Sequence, residues 1–278
     1  MKYHTIAIIL ALIFSSCKAE KIKGITYLPQ ELQVEDTNPK MDIYTPKEKP
    51  TDLMPVIIFI HGGNWNHGTK NTYGFYGKDL AKRNIVAVIP TYTLSPKVTY
   101  DTQAKQVAAA IQWTKDNIKN YGGDPSQIFM NGHSAGGELS ALAVMNPKYN
   151  VDQNDISGII LNDAAGLDMY WQNTVNPPKV GGFYDYGSTF TMEPENWKDA
   201  SPIYFISEEN PPFLIFNGKR SIDAIVKTND DFVEKLREVQ PDVDYIKLNK
   251  SHFPMMLQFI FGGGKQYKTM ERFIEEQR

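Results

Sequence analysis

From Met54 onward, short apolar runs alternate with stretches in which apolar residues recur every three or four positions. Met54–Ile60 is apolar throughout and rich in β-branched residues, Ile85–Ile89 repeats the pattern, and Gln127–Met130, Ile156–Leu161, Phe213–Phe216 and Val243–Leu248 continue it. Runs of this length without polar alternation predict strands buried on both faces. Between them, Ala104, Val107, Ala108 and Ile111 follow the spacing of one helix face, as do Phe232, Val233, Leu236 and Val239. Tyr267, Met270 and Ile274 mark a closing helix. The alternation predicts an α/β fold, a mostly parallel central sheet with helices on both faces. Ile25–Leu28 and Met41–Tyr44 are candidates for antiparallel edge strands.

One segment breaks the rhythm. Asp168–Trp197 is rich in Pro, Gly and aromatic residues and shows little periodicity. Long insertions without secondary structure inside a folded domain are usually functional loops or disorder. Tyr170, Trp171, Phe183, Tyr184, Tyr186, Phe190 and Trp197 make this one too aromatic for disorder. It reads as a lid beside a site, or as a plug whose aromatics hold it to the core.

Composition narrows the picture at the edges. With 278 residues, 41% hydrophobic and 22% charged, the chain suits one domain with a large core. A net charge of −3 with interspersed signs offers no basic surface for nucleic acid. Lys2, the apolar run Ile6–Phe14 and Ser15-Ser16-Cys17 form a secretory leader too short to span a bilayer. Cys17 is the one cysteine, so no internal disulfide forms, and its place resembles the lipobox of bacterial lipoproteins. That resemblance implies cleavage after residue 16, a lipid on Cys17 and an exported protein anchored to a bacterial membrane. The expected organisation is a leader over 1–16, a tether and N-terminal edge over 17–40 with Lys18–Lys23 as the polar tether, and one domain over 41–278 with the insertion at about 168–197.

The candidate chemistry centres on Gly132-His133-Ser134-Ala135-Gly136-Gly137, between a predicted strand and an Ala/Leu-rich predicted helix. A serine between glycines at such a turn resembles the nucleophile elbow of the α/β-hydrolases. The glycines are needed because side chains there would collide with neighbouring backbone. A serine hydroxyl also needs a base and a group to orient that base. In the α/β-hydrolase order of serine, acid and histidine, His252 is the one histidine downstream of Ser134. The acid is expected on the loop after Phe213–Phe216. There Ser221 stands where many hydrolases have Asp, and Asp223 begins an Asp-x-x-Val pattern. Asp223 is therefore the expected acid, with Asp168 second and Asp163 less favoured because it lies nearer its strand.

His61-Gly62-Gly63-Asn64-Trp65 follows the strand Met54–Ile60 and matches an HGG-type oxyanion motif. Backbone N–H groups of Gly63, Asn64 and Ala135 are the expected oxyanion donors. His61 is expected to brace the loop, and Trp65 either floors a substrate pocket or packs into the core. One cysteine and scattered histidines give no metal-ligand spacing, and no cofactor motif is present.

Together, His61–Gly68, Tyr121-Gly122-Gly123-Asp124-Pro125 and the elbow resemble the hormone-sensitive-lipase-like and carbohydrate-esterase branches of the α/β-hydrolase superfamily. Acetyl-xylan and feruloyl esterases and the kynurenine formamidases are the most similar groups. The similarity runs from about Met41 to the C-terminus and departs from both groups at the acid loop. It implies an α/β-hydrolase fold and a serine esterase with a small-molecule or carbohydrate ester substrate. An arylformamidase-type amidase, and a non-catalytic surface binding protein on the same fold, are the alternatives.

Overall fold

The apolar runs assemble into one eight-stranded sheet in a computed structural model that describes residues 18–48, 50–261 and 264–278. The leader and Cys17, with its expected lipid, lie outside the described residues. The strands are β1 (Ala19–Ile25), β2 (Met41–Pro46), β3 (Met54–Ile60), β4 (Val86–Pro90), β5 (Gly123–His133), β6 (Gly158–Asn162), β7 (Phe213–Gly218) and β8 (Asp244–Leu248). Their order across the sheet is β1-β2-β4-β3-β5-β6-β7-β8. β1 and β2 run antiparallel at one edge, and every pairing from β4 to β8 is parallel. β3, the predicted seven-residue run, is buried along its whole length, as a strand covered on both faces must be.

The helices are α1 (Gly74–Ala81), α2 (Tyr100–Asn117), α3 (Ala135–Met145), α4 (Met169–Val175), α5 (Tyr186–Phe190), α6 (Pro194–Asp199), α7 (Asp223–Leu236), α8 (His252–Phe261) and α9 (Lys265–Glu276). One apolar layer packs beneath α2, α3 and α7, with Val107, Ile111, Leu142 and Phe232 in it. The other packs beneath α1, α8 and α9, with Leu80, Met255, Met270 and Ile274. α2, α7 and α9 turn the faces that their spacing predicts toward the sheet, although Val239 lies beyond the end of α7.

Two expectations at the N-terminal edge need correction. Lys18–Lys23 is not a free tether: Ala19–Ile25 forms β1, paired with β2 from Ala19 opposite Pro46 to Ile25 opposite Met41. An edge strand is held by its backbone ladder and commonly carries charge. Lys21 here reaches the buried Asp42 at 2.6 Å. The apolar signal at Ile25–Leu28 belongs mainly to Tyr27 and Leu28, which leave the sheet and plug the core.

The insertion holds three short helices, α4 to α6, and its aromatics divide. Phe190 and Trp197 are buried, whereas Phe183 and Tyr184 are exposed. The middle of the segment is thus exposed and its C-terminal part plugs the core. Asp199 fastens its far end, accepting from Tyr100 Oη at 2.8 Å and from Asn146 Nδ2 at 3.2 Å.

Candidate active site

The site lies at the C-terminal ends of β3, β5, β6, β7 and β8, where loops of a parallel sheet converge. Ser134 links β5 to α3 with φ 56° and ψ −126°. That conformation is costly for a residue with a Cβ and persists only where its surroundings enforce it. The enforcing contacts are short. A Cβ on Gly132 would lie 2.1 Å from the Gly136 carbonyl oxygen, and one on Gly136 would lie 2.1 Å from that of Ile60. Any other residue at either place would open the turn.

His252 is the first residue of α8. The helix is anchored by β6: Asn162 Nδ2 donates to the Met255 carbonyl at 3.2 Å, and Gln258 Nε2 donates to Asn162 Oδ1 at 3.2 Å. This places His252 Nε2 2.9 Å from Ser134 Oγ. On its other side, His252 Nδ1 meets Asp163 Oδ2 at 2.6 Å. The distances make one hydrogen-bonded chain from carboxylate through imidazole to hydroxyl.

The carboxylate is not the expected one. Asp223 is exposed on the first turn of α7, and Asp168 caps α4 by accepting from the Trp171 N–H at 2.8 Å. Asp163, next to the end of β6, is fully buried. Its Oδ1 accepts from the Gly218 N–H at 2.7 Å, and its Oδ2 also accepts from Ser221 Oγ at 2.5 Å. Its φ of 52° bends the chain so that the side chain turns across the end of β7. Asp tolerates that conformation better than most residues. Nearness to the strand, which weighed against Asp163 in the sequence, is what brings it to His252. The readable signal was Ser221, a neutral residue at the place where an acid is expected.

The loop expected to hold the oxyanion donors follows β3. Gly63 has φ 131°, and Asn64 and Trp65 follow at 55° and 60°. The loop closes through the His67 N–H donating to the Gly63 carbonyl at 2.8 Å. Gly63 and Asn64 line the cleft beside Ser134. Ala135 opens α3, and its N–H belongs to the positive end of that helix. His61 braces the loop, its Nδ1 2.9 Å from the Gly62 carbonyl and its ring stacked on Tyr92 at 4.5 Å. Burial lowers its pKa to about 4. His133 faces the site and stacks on His252 at 5.0 Å. Burial, helped by repulsion from the His252 ring, lowers its pKa to about 3.

Trp65 is not a lining residue. It is 1% exposed and packs edge-on against Phe190, with ring centres 4.9 Å apart. Its indole N–H donates to Glu138 Oε2 at 2.7 Å. A buried indole needs such an acceptor, and this one lies under the elbow rather than in the cleft. Burial pushes the Glu138 carboxyl well above the usual carboxylate range.

The cleft above Ser134 has a volume of about 450 Å³ and is largely apolar, with Tyr73, Phe75, Tyr186 and Phe253 among its walls. Phe183 and Tyr184 roof its mouth. The side-chain amides of Asn64 and Asn66 both donate to the Phe183 carbonyl, at 2.7 and 3.0 Å, and tie the insertion to the oxyanion loop. Among the described residues no cluster of His, Cys, Asp or Glu could hold a metal ion.

The sequence signature of the BD-FAE family matches residues 41–236. The chain belongs to the BD-FAE family. It is 31% identical to esterase LipC of Mycobacterium tuberculosis over 84% of this chain and 60% of LipC. It is 26% identical to a probable isoprenylcysteine alpha-carbonyl methylesterase, ICMEL1, of Arabidopsis thaliana over 81% of this chain and 50% of that protein. The chain thus spans only half to three-fifths of these relatives. Esterase B from Lactobacillus rhamnosis superposes with a TM-score of 0.73 at 18% identity, over 94% of this chain and 87% of that one. The BD-FAE chain has the α/β-hydrolase fold.

Proposed function

We propose that this BD-FAE chain is a serine carboxylic-ester hydrolase working through an acyl-enzyme. The observation that carries the reading is the unbroken hydrogen-bonded path Asp163–His252–Ser134. Ser134 Oγ attacks the ester carbonyl carbon while His252 Nε2 takes its proton. Asp163 holds the Nδ1–H, fixes the tautomer and stabilises the imidazolium. The carbonyl oxygen gains negative charge, which the N–H groups of Gly63, Asn64 and Ala135 receive without reorganising; one such donor is worth about 3 kcal/mol. The tetrahedral intermediate collapses, His252 protonates the leaving alcohol, and the acyl group stays on Ser134. Water, deprotonated by His252, then attacks the acyl carbon, and the serine hydroxyl regains its proton.

The substrate class follows from the cleft. Its volume fits a short acyl or aryl group, and aromatic walls favour an apolar or planar one. Esters decorating carbohydrates fit if the sugar stays outside the roofed mouth. The leader and Cys17 support export and lipid anchoring, and β1 begins two residues beyond Cys17 at Ala19. A non-catalytic binder is disfavoured because Asp163, at the end of β6, supplies the carboxylate that the loop after β7 does not. An aromatic cleft favours arylformamides as a second substrate class.

The test is hydrolysis of p-nitrophenyl acetate. Ser134→Ala is expected to cost on the order of 10⁶-fold in kcat, and a phosphonate is expected to label Ser134 covalently. A wild-type protein that neither turns over the ester nor takes the label overturns the reading. Comparing methyl ferulate and acetylated xylo-oligosaccharides with N-formylkynurenine separates ester from formamide. Radiolabelled palmitate incorporated by wild type but not by Cys17→Ala tests the anchor.

A further inference from the structure

The insertion crosses the cleft mouth in an excursion that little packing holds down. Its base is closed where the Gly187 N–H donates to the Lys179 carbonyl at 2.9 Å. Just inside, Gly181 and Gly182 take left-handed conformations, φ 84° and 83°, and a Cβ on either would meet no atom within 4 Å. Phe183 and Tyr184 at the tip are 60% and 56% exposed, so apolar burial contributes little to keeping them over the cleft. What joins the tip to the body is polar. Among the described residues two hydrogen bonds do so, from Asn64 Nδ2 and Asn66 Nδ2 to the one Phe183 carbonyl. The Asn66 amide is oriented for this. Its Oδ1 lies 2.5 Å from His67 Nδ1, and an amide oxygen only accepts, so the ring donates there and leaves Nδ2 to the carbonyl. The His67 ring also lies against Phe183, with centres 5.2 Å apart.

We propose that Asn66 is a specificity-determining residue, a latch that holds the roof over the mouth and confines the site to esters with short acyl groups. The two asparagines are not equivalent. Asn64 also carries an expected oxyanion donor on its backbone, at φ 55°, so altering it disturbs the reacting oxygen as well. Asn66 does not line the cleft and bears on the substrate through the Phe183 carbonyl alone. With its bond lost, the excursion is freer to swing at Gly181-Gly182, whose conformations glycine adopts without strain. A longer acyl chain then passes out of the mouth along walls that are already apolar, Phe75, Ile222 and Phe253 among them.

The inference rests on the serine-esterase reading, and the experiment keeps the two apart. Four full chains are compared: wild type, Asn66→Asp, Phe183→Ala and the double variant. Asn66→Asp keeps the shape of the side chain and removes the donor, whereas Phe183→Ala removes the roofing ring and keeps the carbonyl. kcat/KM is measured on p-nitrophenyl octanoate and p-nitrophenyl acetate, normalised to sites titrated with a phosphonate. Asn66→Asp is expected to raise the octanoate-to-acetate ratio about 3- to 10-fold, the factor that one net hydrogen bond supplies. The double variant is expected to gain no more than the larger single one, because both changes act on the same roof. An unchanged ratio in Asn66→Asp, or single gains that multiply in the double variant, overturns the latch and leaves the hydrolase reading intact. A wild type that hydrolyses neither ester overturns both.

A second readout needs no turnover. Chymotrypsin cleaves after exposed aromatic residues, and Phe183 and Tyr184 stand at the tip of the excursion. The rate of nicking at these two bonds, located by mass spectrometry on the folded chain, reports how often the roof lifts. Asn66→Asp is expected to nick there about 3- to 10-fold faster than wild type. Equal rates overturn the latch.

Discussion

The ends of β6 and β7 lie side by side in the sheet, and an aspartate follows each. Asp163, after β6, is buried, bent into a left-handed conformation and surrounded by donors from Gly218, Ser221 and His252. Asp223, after β7, is exposed on the first turn of α7, where the helix dipole favours a carboxylate at no structural cost. Both sit at strand ends on the same rim, but only one is dry, fixed and aimed at an imidazole. A useful acid is defined by who donates to it and by what excludes water around it; its rank in chain order follows only by habit of the fold. A buried carboxylate without those donors would be too costly to keep charged.

The sharpest way to break this contrast is to neutralise each aspartate in turn. Asp163→Asn is expected to cost on the order of 10³- to 10⁴-fold in kcat, and Asp223→Asn less than about twofold, as for an exposed carboxylate that does not contact the imidazole. Steady-state kinetics on one ester decides it, and the reverse pattern would restore chain order as the guide.

Acid blurs the contrast through imidazoles that neither aspartate carries. Burial lowers the pKa of His61 to about 4 and that of His133 to about 3. The unfolded chain binds their protons from about pH 6.5 downward, so the fold is favoured fully above that pH and loses support as pH falls through it toward those values. Each is expected to cost about 1.4 kcal/mol per pH unit well below pH 6.5, or about 3 kcal/mol for His61 by pH 4. Urea titrations between pH 7.5 and 5 should show falling stability, with a shallower fall in His133→Phe. An equal slope in that variant would show that His133 is not kept neutral by the fold.

The β7 end can also be disturbed without touching a carboxylate. A Cβ at Gly218 would lie 2.6 Å from the Lys250 carbonyl oxygen and 3.3 Å from Asp163 Oδ1. Gly218→Ala is expected to destabilise by about 1–3 kcal/mol and to lower kcat on the order of tenfold by moving the acid. Equal kcat per titrated site would mean that the Gly218 N–H does not hold Asp163 in place. The smallest effect is expected at Asp168, the other acid that the sequence favoured. Asp168→Ala removes the cap of α4, with an expected loss of about 1 kcal/mol in thermal unfolding, and leaves kcat unchanged. A large kcat loss there would make the insertion part of the acid machinery.

Much of the molecule was legible in advance. The β3 run Met54–Ile60 coincides with its strand, because a strand covered on both faces leaves an unbroken apolar record. Ser134 was legible because Gly132 and Gly136 flank it, and close backbone approach excludes everything larger. His252 was legible because chain order left no rival, although its place at the start of α8 was not, since an apolar run of that length has no periodicity to separate it from a loop. β1 was missed because an edge strand needs only backbone partners. Trp65 lies beneath the site because its neighbours Phe190 and Glu138 come from segments far away in the chain.

The order of chemistry along the chain, the glycine-flanked serine, the donor loop after β3 and the parallel sheet were determined by sequence, because each rests on local sterics or on a periodicity a few residues long. Which carboxylate faces His252 was decided by tertiary structure. Its answer depends on a positive φ at Asp163, on an N–H from Gly218 and on a hydroxyl from Ser221, groups brought together only when two neighbouring strands pair. No local pattern carries the energy of that meeting, because each partner is ordinary until the sheet closes around it.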